Sequence, residues 1–480
     1  MNSLNVRDAV VRTALRVRES ALRAALRRAG PAIDDSPTDG GRGDHPLGAA
    51  DLAPGLGSGP DALALASLGQ AALLAGKGDP QGLVQALADL AIPSPAQAGT
   101  VACRLIHLAA IASWATPDAA ASARIGGAAQ AHIAWLKRER PLDERDPDAT
   151  LAAAALLIAA RTWPALPSAR DTTAQALTLL PSSARAMLGS DGAPIGDPST
   201  VARALWGLAL ARAWGERSGV AMPDAAMGAF LGGSTSLWRL AGDSGRLPAT
   251  GDPAPALLPL GSVPLPLTLR SLAIAWGLED DALPTTWDPA IDRLLGRPAR
   301  LEASEPALSG AMGPDGAWAL WPWRDTGLAV AHSRIKGNAS RGWFRASDGR
   351  VQWDLDDRPL VVGQRGPACM VVARVDGPQA RVIAIPPGTD AKADERPERD
   401  ISWRQARMVV VDRGVDRISW ELGPDWSLEP GEKGEWLARH GGRTLVVKLD
   451  EESWRWSVSG RRIEGQGEPT ATVRSIFELR

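Results

Sequence analysis

Apolar residues recur at helical spacing along the first half of the chain and in short, alternating runs along the second. The segment from Thr200 to about Arg217 shows the first pattern, with Val201, Ala204, Leu205, Leu208, Leu210, Ala211 and Trp214 on a helix. Further helices are predicted near 61–76, 80–91, 96–115, 117–138, 147–163, 168–189, 223–241, 264–278 and 287–295. Asp79-Pro80, Ser94-Pro95, Thr116-Pro117 and Asp146-Pro147 put proline in or near a first turn, where its missing N–H goes unused. Several helices are apolar on more than one face, as in the run of alanine, leucine and isoleucine over 151–160. Small residues allow close approach, and burial on two sides fits inner and outer helical layers better than a thin bundle. The expected architecture is an α/α-toroid-like helical domain; an irregular solenoid is the alternative.

Near Leu301 the pattern shortens. Ala317–Trp321, Gly327–His332, Arg350–Leu355, Met370–Val375, Ala380–Ile385, Ala406–Val411, Asp416–Glu421, Thr444–Leu449, Ser453–Ser459 and Thr470–Leu479 read as strands separated by Gly, Asp-Gly and Pro. Such regular spacing predicts an antiparallel β-sandwich. Four segments follow: a basic amphipathic N-terminal helix (1–29), a linker or long loop (30–60), the helical domain (61–300) and the sandwich (301–480). The charged stretch Pro386 to Asp400 is expected to be a mobile loop.

Composition changes this picture in a few places. A length of 480 residues suits two domains. The net charge of −2 gives no global argument for nucleic acid or a membrane surface. Cys103 and Cys369 suggest neither a disulfide framework nor a metal cluster. The five histidines have no metal-ligand spacing, so neither metal nor cofactor is expected. Nineteen Trp, three Phe and no Tyr exclude any mechanism that uses a phenol. The N-terminal helix carries arginines throughout and lacks the apolar core of a signal peptide, and no apolar run is long enough to span a bilayer. The sequence therefore points to the cytoplasm.

Two polar loops bracket the helices between Ser190 and Asp252. Asp191, Asp197, Asp243 and Asp252 lie on them, either as paired carboxylates of a glycoside hydrolase or as caps of turns and helices. Turn chemistry at Asp197-Pro198 and Asp252-Pro253 favours capping. His332, beside Arg334 and Lys336, is the candidate base near an anionic ligand, with a half-buried strand histidine as the alternative. His132 is the second candidate. Arg439-His440 precedes Gly441-Gly442 and reads as a hairpin tip. Trp318, Trp321, Trp323, Trp343 and Trp353 interleave with Arg324, Arg334, Arg341, Arg345 and Arg350. Trp stacks on sugar rings and Arg pairs with carboxylate or sulfate, although most of this tryptophan set is expected to fill the core in place of Tyr and Phe.

Three stretches together resemble the heparinase II/III-like polysaccharide lyases. They are His132–Leu136 with the helix to Trp163, Ser190-Asp191-Gly192 leading to Gly245–Asp252, and the closing strands with Trp454-Arg455-Trp456, Arg461–Gly465 and Thr472-Val473-Arg474. The resemblance covers about 130–480 and implies an α/α-toroid followed by a sandwich, acting on acidic, uronate-containing polysaccharide. It implies a periplasmic location, against the sequence reading. Lyases of this kind abstract the proton α to a uronate carboxylate, with Asn neutralising the acid and Tyr and His exchanging protons. Where those groups are expected this chain has Arg145-Asp146-Pro147-Asp148, Pro198-Ser199-Thr200-Val201 and the segment Ser340–Leu355 with Arg341-Gly342-Trp343. The expectation is a catalytically degenerate member. His332 and His132 are the remaining catalytic candidates, and Asp191, Asp252, Arg334, Arg341, Trp343 and Arg345 the substrate-binding ones. A non-catalytic structural or protein-interaction scaffold is the alternative, and a glycoside hydrolase the second. A groove lined by Arg and Trp between the domains would favour glycan binding; a filled, apolar junction would favour a scaffold.

Overall fold

A computed structural model describes most of residues 79–241 and 315–480, with helical positions between 68 and 75 and a helix near 265–276. The segments expected as an N-terminal helix (1–29), a linker (30–60) and a helix near 287–295, together with Asp243 and Asp252, lie outside the described residues.

Eight helices are delimited: α1 Pro80–Ala88, α2 Ala98–Trp114, α3 Ala119–Arg138, α4 Pro147–Thr162, α5 Ala169–Ala186, α6 Pro198–Arg217, α7 Asp224–Ala241 and α8 Leu265–Ala275. Three begin at an Asp-Pro pair. Asp79, Asp146 and Asp197 each accept a backbone N–H of the first turn, from Gln81, Asp148 and Thr200 respectively. The side chain satisfies a donor the helix cannot, while proline presets the next φ. α4 packs on α2, α5 and α6, so Thr150 to Ala160 are buried all round. Its alanines permit that approach, and Gly207 of α6 sits where a Cβ would press on Leu151.

Sixteen strands follow among the described residues. One eight-stranded antiparallel sheet has the order β1-β2-β3-β4-β5-β10-β15-β14, the other β11-β12-β13-β16-β9-β8-β7-β6. The strands that position the site are β1 Ala319–Trp323, β2 Leu328–Ile335, β3 Asn338–Arg345, β4 Arg350–Leu355 and β5 Arg358–Arg365. The two sheets enclose a core built on Trp353, Trp403, Trp420, Phe344 and Phe477. Close approaches require a side chain to be absent: across the sandwich a Cβ at Gly342 would strike the Trp403 indole, and within the first sheet one at Gly363 would strike the ring of its cross-strand partner Trp420. Glu398–Asp400 are not loop. They open β8 Glu398–Arg404, and Arg399 is fully buried in a paired contact with Asp412. A charged sequence hid that strand because its arginine points into the sandwich.

The first sheet is covered on both faces near β2. Ala329, Ala331 and Ile335 face the sandwich core, while Leu328 and Val330 face the helices. Together with Trp323, Trp343, Ala193 and Leu240 they form a separate apolar cluster joining helical domain and sandwich. Period-two alternation puts His332 on the helix-facing side of β2 as well. Register carries that side across the sheet, because His332 pairs with Arg341 and Arg341 with Asp354.

Candidate functional site

The junction is built around the last turn of α7. A helix leaves its final carbonyls without intrahelical donors, and here the sandwich supplies them. His332 Nε2–H donates to Arg239 O at 2.7 Å, and Arg341 Nη1 donates to Ala241 O at 3.1 Å. A guanidinium at a helix C-terminus also opposes the negative end of its dipole. Arg341 is held from behind: Nε and Nη2 both reach Asp354 Oδ2, at 3.0 and 2.7 Å. Gln352 Nε2 donates to the other carboxylate oxygen. Arg341 and Asp354 are 6% and 2% exposed, so each must keep its partner. Burial, reinforced by the Arg341 charge, pushes the His332 imidazole down to about 3. The ring is therefore neutral near pH 7, and because a carbonyl only accepts, its proton sits on Nε2.

A second set of bonds ties the loop before α6 to the β1–β2 turn. Gly192 N–H donates to Gly189 O at 2.9 Å, closing a tight turn that Gly192 completes at φ +76°. That turn aims Asp191 at the sandwich, where its Oδ2 accepts Asp325 N at 3.0 Å and Thr326 N at 3.4 Å. Ser190 donates to the Asp325 carboxylate alongside it. Asp197 instead caps α6, accepting both Thr200 N and Thr200 Oγ1 at 3.0 Å.

The residues singled out in sequence thus divide among different surroundings. His332, Arg341 and Trp343 meet in the junction, and Asp191 joins the same two domains at the adjacent loop. Trp343 is 1% exposed, with its faces turned to Arg345 and Arg350 at 5.9 and 5.8 Å. Arg345 makes a two-pronged bond to Asp348 within its own hairpin. Burial pushes Asp348 up, but the bonds and charge of Arg345, with help from Arg350, bring it below its ordinary value. Arg334 is exposed on β2. His132 lies apart, buried in the helical domain with Nδ1–H donating to Ala128 O at 2.8 Å, and burial lowers it to about 4. No group of three or more His, Cys, Asp or Glu suited to a metal occurs among the described residues. Nor is any of the described helices long and apolar enough to cross a membrane.

Sequence reasoning missed Asp354 and Gln352, which complete the clamp, and the backbone carbonyls of Arg239 and Ala241. A signal for the covered sheet was present. A strand buried on both faces loses its alternation, and Leu328-Ala329-Val330-Ala331 is an unbroken apolar run.

No protein-family model matches this chain, and no curated protein matches it in sequence. Solved structures do match in fold. A heparinase III structure aligns over 87% of this chain and 77% of its own length, with a TM-score of 0.59 and 10% identity. A heparan sulfate lyase HepC mutant from Pedobacter heparinus covers 87% and 76%, with a TM-score of 0.53 and 12% identity. A heparinase III gene product with methylated lysines covers 80% and 66%, with a TM-score of 0.53 and 11% identity. The chain therefore has the heparinase fold of a helical domain followed by a β-sandwich, in a strongly diverged sequence.

Proposed function

We propose that this protein is a lyase-fold scaffold that does not perform the elimination, its helical layers forming an arc of an α/α-toroid. One observation carries the reading. The candidate base, His332, is buried and neutral, and its Nε2–H is engaged with the carbonyl of Arg239. A base must reach the proton it removes, within about 3 Å or through one water. His332 and Arg341 instead do for α7 what a capping motif would do, so the residues facing the helices serve attachment. The apolar cluster beside them supports the same view, since Trp323, Val330 and Trp343 fill the place where a polysaccharide groove is expected. The chain also has no tyrosine to act as a second proton carrier.

Binding of acidic polysaccharide without cleavage is the second reading. It is favoured by the fold likeness to heparan sulfate lyases and by Arg345 and Arg350, which flank Trp343 at the edge of the junction. Incubation with heparin, heparan sulfate and alginate separates the readings. The expected outcome is no rise in absorbance near 230 nm, the signature of an unsaturated uronate. Robust absorbance that disappears in His332→Ala would overturn the proposal. Salt-sensitive retention on heparin without absorbance, lost in Arg345→Ala/Arg350→Ala, would establish the second reading in place of the first.

A further inference from the structure

The strongest unassigned feature lies at one end of the sandwich, between the β4–β5 hairpin, the turn after β10 Arg417–Leu422, and the hairpin of β12 Glu435–His440 with β13 Arg443–Leu449. A hollow of about 510 Å³ opens there. We propose that it binds a neutral pyranose unit of a saccharide. It shares no lining residue with the junction and stands whether or not the scaffold reading holds.

The floor is apolar and closely packed. Leu355 and Leu360 line it and are each 2% exposed, and Trp426, 6% exposed, forms one wall. The Trp426 ring is fixed against His440, with centroids 5.7 Å apart. His440 is fixed in turn, because its Nδ1–H donates to Asp425 O at 3.0 Å. The aromatic wall therefore needs no rearrangement on binding, which keeps the ordering cost low.

The rim is polar and balanced. Arg358 faces Asp425 at 3.6 Å and Arg443 faces Asp356 at 3.4 Å. Both contacts are long for charge-assisted hydrogen bonds, and all four side chains are substantially exposed, from 38% to 71%. Each pair places donors and acceptors side by side, although Arg443 Nη2 also donates to Asn338 Oδ1 at 3.2 Å and Asp356 Oδ1 accepts Ala339 N–H at 3.1 Å. An anionic sugar would meet two carboxylates, and a cation two guanidiniums. A pyranose avoids both conflicts: its C–H face suits the apolar lining that Pro359 and Pro424 present above Leu355, Leu360 and Trp426, and each hydroxyl donates and accepts at once. The volume lies within the usual range for a small-molecule site and exceeds the needs of one ring.

The test is calorimetric titration of the full chain with cellotetraose, maltotetraose, xylotetraose and chitotetraose, with a heparin-derived tetrasaccharide as the anionic comparator. At least one neutral tetrasaccharide is expected to bind, and both Arg358→Ala and Arg443→Ala should weaken it about tenfold or more. Both arginines are surface residues, so their removal leaves the fold intact; Arg462→Ala, outside the hollow, should leave the affinity unchanged. Absence of binding by all four neutral probes, binding by the heparin fragment alone, or affinity unaltered in both variants would each overturn the assignment. None of these outcomes depends on the absorbance assay for elimination, so the two proposals fail separately.

Discussion

Acidification should loosen the junction, and His332 sets the size of the effect. In the unfolded chain its imidazole titrates near the ordinary value of 6.5; in the folded protein burial and Arg341 hold it down to about 3. The folded state therefore favours the neutral ring. Its contribution to stability is complete above about pH 6.5 and is lost as the pH falls toward 3. At pH 5 the unfolded histidine is almost fully protonated and the folded one hardly at all, a difference worth about 2 kcal/mol. Glutamine is the right replacement, since His332→Gln retains an N–H for Arg239 O and removes the titration. A chain of this size does not guarantee a two-state transition, so hydrogen exchange of peptides from β2 and the end of α7 is the better readout. At any one pH both proteins share the same intrinsic exchange rate. Their ratio cancels His132 and Asp148, which titrate alike in each. Between pH 8 and pH 5 exchange in the native sequence should rise about thirtyfold relative to His332→Gln. A ratio independent of pH would refute the argument, because it would mean that His332 is hydrated or already charged in the folded state.

Two further outcomes follow from the same contacts. Arg341→Leu should destabilise the junction by about 3–5 kcal/mol because it leaves the Asp354 carboxylate buried without its cation, whereas Arg341→Leu/Asp354→Leu should recover most of that loss in a denaturation double-mutant cycle. Asp191→Ala should make the Asp325 and Thr326 amides exchange roughly tenfold faster, for a local cost of about 1–2 kcal/mol, while leaving α6, which Asp197 caps, unchanged.

The parts of this molecule that were legible in sequence are those whose determinants are local. Asp79-Pro80 and Asp146-Pro147 mark the starts of α1 and α4 because a cap and a fixed φ act on adjacent residues. The alanine run of α4 announces burial on several faces for the same reason. Strand β9 Arg407–Arg413 is visible because Met408–Val411 is a short apolar, β-branched run bounded by charged residues. β3 was harder, since Asn338–Arg345 carries Arg341 and Gly342 inside a buried stretch and lacks the expected period. Both exceptions have a partner far along the chain: Gly342 gives way to Trp403, and Arg341 meets Asp354 and the carbonyl of Ala241.

The same distinction explains why the partners of these side chains were not legible in sequence. Sequence drew attention to His332, Arg341, Trp343 and Asp191, and the structure gathers these four at the contact between helical domain and sandwich. What sequence could not supply was the acceptor. A histidine aimed at a substrate and one capping a helix need the same side chain on the same strand face. They differ only in whether the opposing group is a ligand or a main-chain oxygen, and Arg239 O has no signature in the residue type that bears it. Three of the four junction residues meet backbone atoms: His332 a carbonyl, Arg341 a carbonyl and Asp191 two amides. Backbone partners depend on where a chain ends its helix or makes its turn, so the side chains at this contact can be read as chemistry until the ends of α7 and the β1–β2 turn are in place. Once they are, His332, Arg341 and Asp191 each have a main-chain partner, and a catalytic role for His332 would require it to leave a buried bond.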